Sequence, residues 1–420
     1  MDIDSLLLPY QRFGVHLGLE RIYKLLANLG NPHHQVPVIH VAGTNGKGSV
    51  CAYLSSVLTQ AGYRTGRYTS PHLVDWTERI CFNEQQISSE ELCKLLMQVK
   101  EAIDPQEESP TQFEVFTAAA WLYFAQNKVD VAVVEVGLGG RLDATNVCAK
   151  PVATIITSIS RDHLQQLGST VSAIAKEKAG ILKSGCPVVI GQLPLEAEQV
   201  VCNIANKLQC PIIKPQLAQE VGNGWVEVEG EKLIKYPLPL QGKIQLNNSA
   251  VAIAVLEILQ QQGWQISEEA IVEGMAKTKW LGRMQWTTWN NHKLLLDGAH
   301  NPAAAKALRN YVDAVLAQSN QPQSSVTWVM GMLSTKEHDE IFKTLLRAND
   351  KLHLVPVPDH SSAIPDELTK LAKDICPGLS LCDTFSDLSS ALSIAFSSND
   401  NLVVLCGSLY LVGHFLQAGE

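Results

Sequence analysis

Val38-Ile39-His40-Val41-Ala42-Gly43-Thr44-Asn45-Gly46-Lys47-Gly48-Ser49 reads as a short apolar strand running into a glycine-rich turn, then a helix continuing from Val50 to Leu58. This layout binds a nucleotide triphosphate. The glycines let backbone N–H groups turn toward phosphate oxygens, the helix N-terminus adds its positive end, and Lys47 supplies a point charge. The loop departs from the generic G-x-x-x-x-G-K-[ST] pattern in two places. Val41 stands where the first glycine would sit and Gly48 where the hydroxyl would, which displaces the hydroxyl to Ser49.

Outward from the loop, strand-length apolar runs (36–42, 65–69, 129–136, 152–157, 187–190) alternate with helical patterns (90–103, 117–126, 171–183). That alternation predicts a parallel sheet covered by helices, with ligands gathering at the carboxyl ends of its strands. Helices over 249–261 and 267–277 lead to Trp280-Leu281-Gly282-Arg283, after which strands at 293–297, 326–330, 352–357 and 402–406 alternate with helices at 302–317 and 337–347. A chain of 420 residues exceeds one ordinary core, so two α/β domains joined near residue 285 are expected.

A formal charge of −9, with no Lys/Arg run, excludes nucleic-acid binding through a basic surface. The N-terminus, Met1-Asp2-Ile3-Asp4, lacks a signal pattern and no window reaches a membrane span, so a cytoplasmic protein acting on small molecules is expected. Ten cysteines without a C-x-x-C pair fit reduced, mostly buried thiols.

Glu135 lies deep in a valine-rich strand reading, 129–136, and is followed by Gly137, Gly139 and Gly140. A carboxylate there needs a cation or several donors to stay charged, and Mg²⁺ beside the phosphates is the natural partner. Asn127-Lys128-Val129-Asp130 mimics the guanine-reading motif of GTPases, but it precedes its strand instead of following it and is read as a helix-to-strand loop. Asp162-His163 follows another strand, where metal or phosphate ligands would sit. Lys176-Glu177-Lys178 alone would be a solvated helical face.

These segments together resemble the folylpolyglutamate synthases, including the bifunctional forms that also make dihydrofolate, within the Mur-type ATP-dependent amide ligases. The resemblance rests on residues 40–49, Tyr68 to Leu73, Thr77 to Ile80, Glu135 to Asn146, Asp162-His163, Glu177 to Ile181, Gly282-Arg283, Asp297 to Pro302 and Cys406 to Tyr410, in this order. The displaced serine of Gly-Lys-Gly-Ser is the folate-ligase form of the loop. The implied fold is α/β in two domains: an N-terminal P-loop ATPase domain with a parallel sheet, residues 1–284, binding ATP and folate, and a smaller C-terminal Rossmann-like α/β domain, residues 285–420, closing over ATP and binding glutamate.

The resemblance also implies roles. Gly43, Thr44, Asn45, Gly46, Lys47, Gly48, Ser49, Asn248, Arg283 and Asp297 would bind ATP; Ser70 and Glu135 would hold one Mg²⁺, and His163 a second. Lys178 matches a lysine that such ligases carry as a carbamate, and His300 is a candidate general base. Lys47, Glu135, Lys178 and His300 form the expected catalytic set. Thr111, Gln112, Phe113, Glu114, Leu142, Asp143 and Ala144 match the pteroate side. The implied reaction moves the ATP γ-phosphoryl onto a carboxylate, of dihydropteroate or of a folate's last glutamate, and L-glutamate then displaces phosphate; the enzyme is expected to be a monomer. Ile244 replaces a common histidine, Leu281 a common proline, and Pro358 to Ser362 lack an arginine often found there.

Overall fold

The computed structural model describes residues 2–11, 17–318, 325–397 and 402–418. The chain divides into two compact units, residues 1–239 with 245–279, and residues 240–244 with 280–420.

The first unit is built on eight strands: β1 (Val38–Ala42), β2 (Thr65–Tyr68), β3 (Ile80–Phe82), β4 (Gln85–Gln86), β5 (Val131–Glu135), β6 (Ala153–Ile156), β7 (Val188–Ile190) and β8 (Ile212–Ile213). They lie in the order β4-β3-β2-β5-β1-β6-β7-β8. Strands β2 through β8 in that order run parallel, and the β3–β4 hairpin adds an antiparallel edge. Strands β1 and β5 are buried along their whole length, which is why they read as continuous apolar runs without alternation. Strand β1 is followed by β2 on one side of it and flanked by β6 on the other, so the chain reverses its direction of winding at β1. Such a switch point opens a crevice at the strand ends, and register places Val41 beside Glu135 and Ala42 beside Ile156 there.

Three helices sharpen the expectation. The loop helix runs Lys47–Gln60. The helix expected from residue 117 begins at Gln112, because Thr111 and Glu114 form a capping box: the Thr111 side chain accepts from Glu114 N and the Glu114 carboxylate from Thr111 N. The helix expected to reach 183 ends at Lys178 and tightens into a 3-10 turn, Ala179–Ile181.

A three-stranded antiparallel sheet, β9 (Gln219–Gly222), β10 (Trp225–Glu229) and β11 (Leu233–Pro237), was not anticipated. Its signal was local. Val226, Val228, Ile234 and Tyr236 are buried and alternate with more exposed residues. Asn223-Gly224, both at positive φ, close the β9–β10 hairpin in the conformation that two-residue loops favour.

The second unit holds β12 (Gln285–Trp289), β13 (His292–Leu296), β14 (Val326–Met330), β15 (Lys351–Leu354), β16 (Leu381–Thr384) and β17 (Leu402–Cys406), in the order β12-β13-β17-β14-β15-β16. All pairs are parallel except β12–β13. That hairpin turns through Asn290-Asn291, both at positive φ. Gly282 and Arg283 lie in this unit, since its second segment opens at Trp280.

Candidate active site

The glycine loop follows β1 without a break and is held by the segment after β6. Thr44 N donates to Ser158 O (2.7 Å) and Asn45 N to Ser158 Oγ (3.0 Å), while Thr157 Oγ1 donates to Asn45 O (2.7 Å). A Cβ on Gly43 would collide with Thr157 Oγ1. One on Gly46, whose φ is 86°, would lie 2.5 Å from Asn248 Oδ1. Glycine is therefore required at both places by close approach, and at Gly46 by conformation as well. The first amides of the loop helix, Lys47, Gly48 and Ser49, have no intrahelical acceptors. They are the donors a phosphate would meet. The Ser49 hydroxyl is buried and accepts from Gln245 Nε2 (3.4 Å), while Gln245 Oε1 accepts from Asn248 Nδ2 (3.0 Å).

Lys47, Glu135 and Lys178 converge on this loop. Glu135 is the last residue of β5 and is 5% exposed, so it is a buried carboxylate and not a solvated strand end. Its Oε2 accepts from Ser70 N (3.3 Å) and its Oε1 lies 3.7 Å from Lys47 Nζ. Lys47 Nζ also donates to Thr44 O (3.2 Å). Lys178 closes its helix with the side chain buried and Nζ donating to Gly43 O (2.8 Å). Burial, with the Lys47 charge beside it, pushes its pKa down to about 7, so the solvated face read from residues 176–178 holds for Lys176 alone. Near neutral pH a large fraction of Lys178 is free amine.

His163 caps the short helix Leu164–Leu167 from a left-handed backbone, φ 52°. Its side chain is 45% exposed, and Nε2 is 3.9 Å from Asp162 Oδ1. Among the described residues no three His, Cys, Asp or Glu side chains gather at one point.

On the other side of β5, Phe113 lies half-buried over Gly137, where a Cβ would come within 2.5 Å of its ring, and 6.3 Å from the Tyr68 ring. Glu114 Oε2 accepts from Thr111 N (2.6 Å) and Arg21 Nε (3.1 Å), whereas Oε1 is buried with no hydrogen-bond partner. Asp143 is buried. Its Oδ1 accepts from Thr145 N (3.0 Å) and Oγ1 (2.6 Å), and its Oδ2 from Leu138 N (2.8 Å). Burial raises its pKa against these donors. Both oxygens shape the Gly137–Asn146 loop, on which Leu142 and Ala144 flank Asp143. The same loop is tied to the lysine segment: Arg141 pairs with Glu177 (3.1 Å), and Asn146 Nδ2 donates to Gly180 O (3.1 Å).

In the second unit, Asp297 follows β13 and is buried. It accepts from Met284 N (2.9 Å) and Ala299 N (2.8 Å); burial raises its pKa and Arg283 opposes that rise. His300 Nδ1 is 2.8 Å from Gly298 O. A carbonyl only accepts, so Nδ1 carries the proton, and Nε2 is the basic nitrogen of the neutral ring.

A family model described as "Mur ligase middle domain" matches residues 41–256, and one described as "Dihydrofolate synthetase, C-terminal domain" matches 282–418. A Bacillus subtilis protein named dihydrofolate synthase/folylpolyglutamate synthase is 35% identical over 421 residues, covering 96% of this chain and 94% of its own. The chain belongs to the dihydrofolate synthase/folylpolyglutamate synthase family. Solved members share the fold. Mycobacterium tuberculosis folylpolyglutamate synthase, solved with ADP and AMPPCP, superposes with a TM-score of 0.87 at 28% identity over 99% of this chain and 97% of its own. Escherichia coli FolC in complex with DHPP and ADP gives 0.85 at 30% identity over 99% and 96%. The α/β architecture expected from the sequence is that of these enzymes, and the chain is an ATP-dependent ligase of folate metabolism that adds glutamate.

Sequence reading missed the residues that hold the site. Thr157 and Ser158 pin the glycine loop, Gln245 bridges Ser49 and Asn248, and Arg21 binds Glu114. Apart from the Gln245–Asn248 bond within one helical turn, these contacts each span more than ninety residues of chain, so nothing local marks them. No helix among the described residues is long and apolar enough to cross a membrane, and all ten cysteines are free.

Proposed function

We propose that this chain joins L-glutamate to dihydropteroate, and to the γ-carboxyl of reduced folates, through an acyl phosphate formed from ATP. The observation that carries this reading is the convergence of Lys47, Glu135 and Lys178 on one glycine loop at the carboxyl ends of β1 and β5.

A carboxylate is a poor acyl donor because its oxygen leaves badly, so phosphorylation must precede amide formation. The free amides of the loop helix and Lys47 would hold the ATP phosphates and offset their charge. Glu135 and Ser70 supply one carboxylate and one hydroxyl, a donor set that fits Mg²⁺ completed by phosphate oxygens and water. Mg²⁺ bound there would neutralise charge on the transferring phosphoryl group. A second Mg²⁺ at His163 rests on the family resemblance.

With its pKa lowered to about 7, Lys178 offers the neutral amine that carbamylation requires: the N–C bond to CO₂ would form, the amine would release a proton to solvent, and an anion would then face Lys47. Phe113 offers the pterin a stacking face, and the unpartnered Glu114 Oε1 offers an acceptor for a pterin N–H. Gln112, Leu142, Asp143 and Ala144 complete that side. Asn248 lies against the glycine loop, and Arg283 and Asp297 are assigned to ATP by resemblance. His300, with Nε2 basic, would take a proton from the glutamate ammonium. The enzyme acts as a cytoplasmic monomer on small molecules.

The test is phosphate release from Mg-ATP with L-glutamate, comparing dihydropteroate with a reduced folate. Turnover with both is expected. No glutamate-dependent release with either substrate refutes the proposal, and release with one alone refutes the other half.

A further inference from the structure

His40 is the one polar side chain of β1, and it is fully buried, 1% exposed, three residues before the glycine loop. Its Nε2 lies 2.9 Å from Thr145 Oγ1, which itself stands 2.6 Å from Asp143 Oδ1. A hydroxyl has one hydrogen, and the carboxylate can only accept it. Thr145 therefore donates to Asp143, and the imidazole must donate from Nε2 to Thr145. Burial pushes the His40 pKa down to about 3, so the ring stays neutral at working pH.

Asp143 carries the chain onward. Its second oxygen holds Leu138 N at 2.8 Å, next to Gly137 beneath Phe113. An unbroken buried relay thus runs from the strand that bears the ATP loop, through Thr145 and Asp143, into the loop that bears Leu142, Asp143 and Ala144. A polar ring in the middle of a buried strand is costly unless its hydrogen bond is made, and here the bond ends on the substrate loop.

We propose that His40 is a positioning residue for the pteroate side of the site: by donating to Thr145 it fixes the Asp143 carboxylate, and through it the Gly137–Asn146 loop, without touching substrate. The proposal rests on the assignment of residues 111–114 and 142–144 to the pteroate side. Without the imidazole donor, the Thr145 hydroxyl is free to turn away from Asp143, and Leu138 loses a fixed acceptor. The affinity for the acyl substrate should suffer, while the ATP loop, held by Thr157 and Ser158, should not.

The experiment measures KM and kcat for dihydropteroate, with a reduced folate in parallel, and KM for ATP, in His40→Leu, His40→Gln, Thr145→Val and Thr145→Ser. The glutamine keeps an N–H where Nε2 stood, and the serine keeps the hydroxyl. His40→Leu and Thr145→Val should each raise the pteroate KM about tenfold, as expected when one partner of a buried hydrogen bond is removed. The Gln and Ser variants should stay close to wild type, ATP KM should not move, and the Leu/Val double variant should be no worse than Thr145→Val alone. If the ATP KM rises in step, or His40→Gln fails as His40→Leu does, His40 is a packing residue and the proposal is overturned. If His40→Leu does not fold, the Thr145 pair decides in the same way. Phe113→Ala separates the two claims. A raised pteroate KM there with none in His40→Leu refutes the relay alone, and an unmoved KM in Phe113→Ala refutes the pteroate assignment and the relay with it.

Discussion

Replacing Lys178 with methionine should stabilise the first unit at neutral pH and lose that advantage as the pH rises. Lys178 is 5% exposed, and its pKa falls from 10.5 to about 7 chiefly through burial. Below pH 7 the folded chain holds a buried ammonium that the unfolded chain would solvate. Between pH 7 and 10.5 the unfolded chain binds a proton that the folded chain does not, so stability climbs with pH through that window. The difference between 10.5 and about 7, at about 1.4 kcal/mol per pH unit, is a penalty of roughly 4 kcal/mol at pH 7 that shrinks to about 1 kcal/mol by pH 10. Methionine escapes the penalty and forfeits the hydrogen bond to Gly43 O, worth about 1 kcal/mol. The net gain is then about 3 kcal/mol at pH 7 and close to nothing at pH 10. Urea titrations in CO₂-free buffer, read by hydrogen exchange of the β1 and β5 peptides, report this unit alone. A variant destabilised equally at both pH values would refute the buried ammonium. The same substitution should abolish ligase activity, because stability and function conflict at this position.

Glu135→Gln should leave the melting temperature unchanged or higher and lower Mg-dependent turnover by about a hundredfold or more, the scale seen when a charge-stabilising group is removed; retained turnover would show that the carboxylate is only structural. Gly46→Ala should raise the ATP KM and cost about 1–3 kcal/mol of stability, since its φ of 86° and the Asn248 contact resist a side chain. Normal ATP affinity would refute the tight loop. His33 is buried, with neither ring nitrogen partnered, and burial holds its pKa at about 4 against 6.5. Its contribution is complete above pH 6.5 and is lost as the pH falls from there to about 4. His33→Leu should flatten that acid loss in thermal melts, and an unchanged pH profile would exclude His33 as its source.

Much of the site was legible because its chemistry is local. The glycine loop with Lys47 spans seven consecutive residues, and Glu135 announced itself as a carboxylate in a buried strand. The capping box at Thr111 and Glu114 and the Asn223-Gly224 hairpin were equally local but went unread. Lys178 was different: nothing in Lys176-Glu177-Lys178 distinguishes the buried lysine from the exposed one, because helical phase against a distant loop decides it. Likewise Thr157 and Ser158 look like ordinary loop residues until the parallel pairing of β1 with β6 brings them against Thr44 and Asn45.

The sequence by itself determined the α/β class, the glycine-rich turn between strand and helix and the family of ligases, since periodicity, glycine spacing and motif order are properties of neighbouring residues. Only the tertiary structure decided which charges are buried and what they touch. It placed Lys178 on Gly43, ran the relay from His40 to Asp143, and left one oxygen of Glu114 unpartnered. Such effects depend on desolvation and on contacts between residues far apart in the chain, which the order of residues does not display.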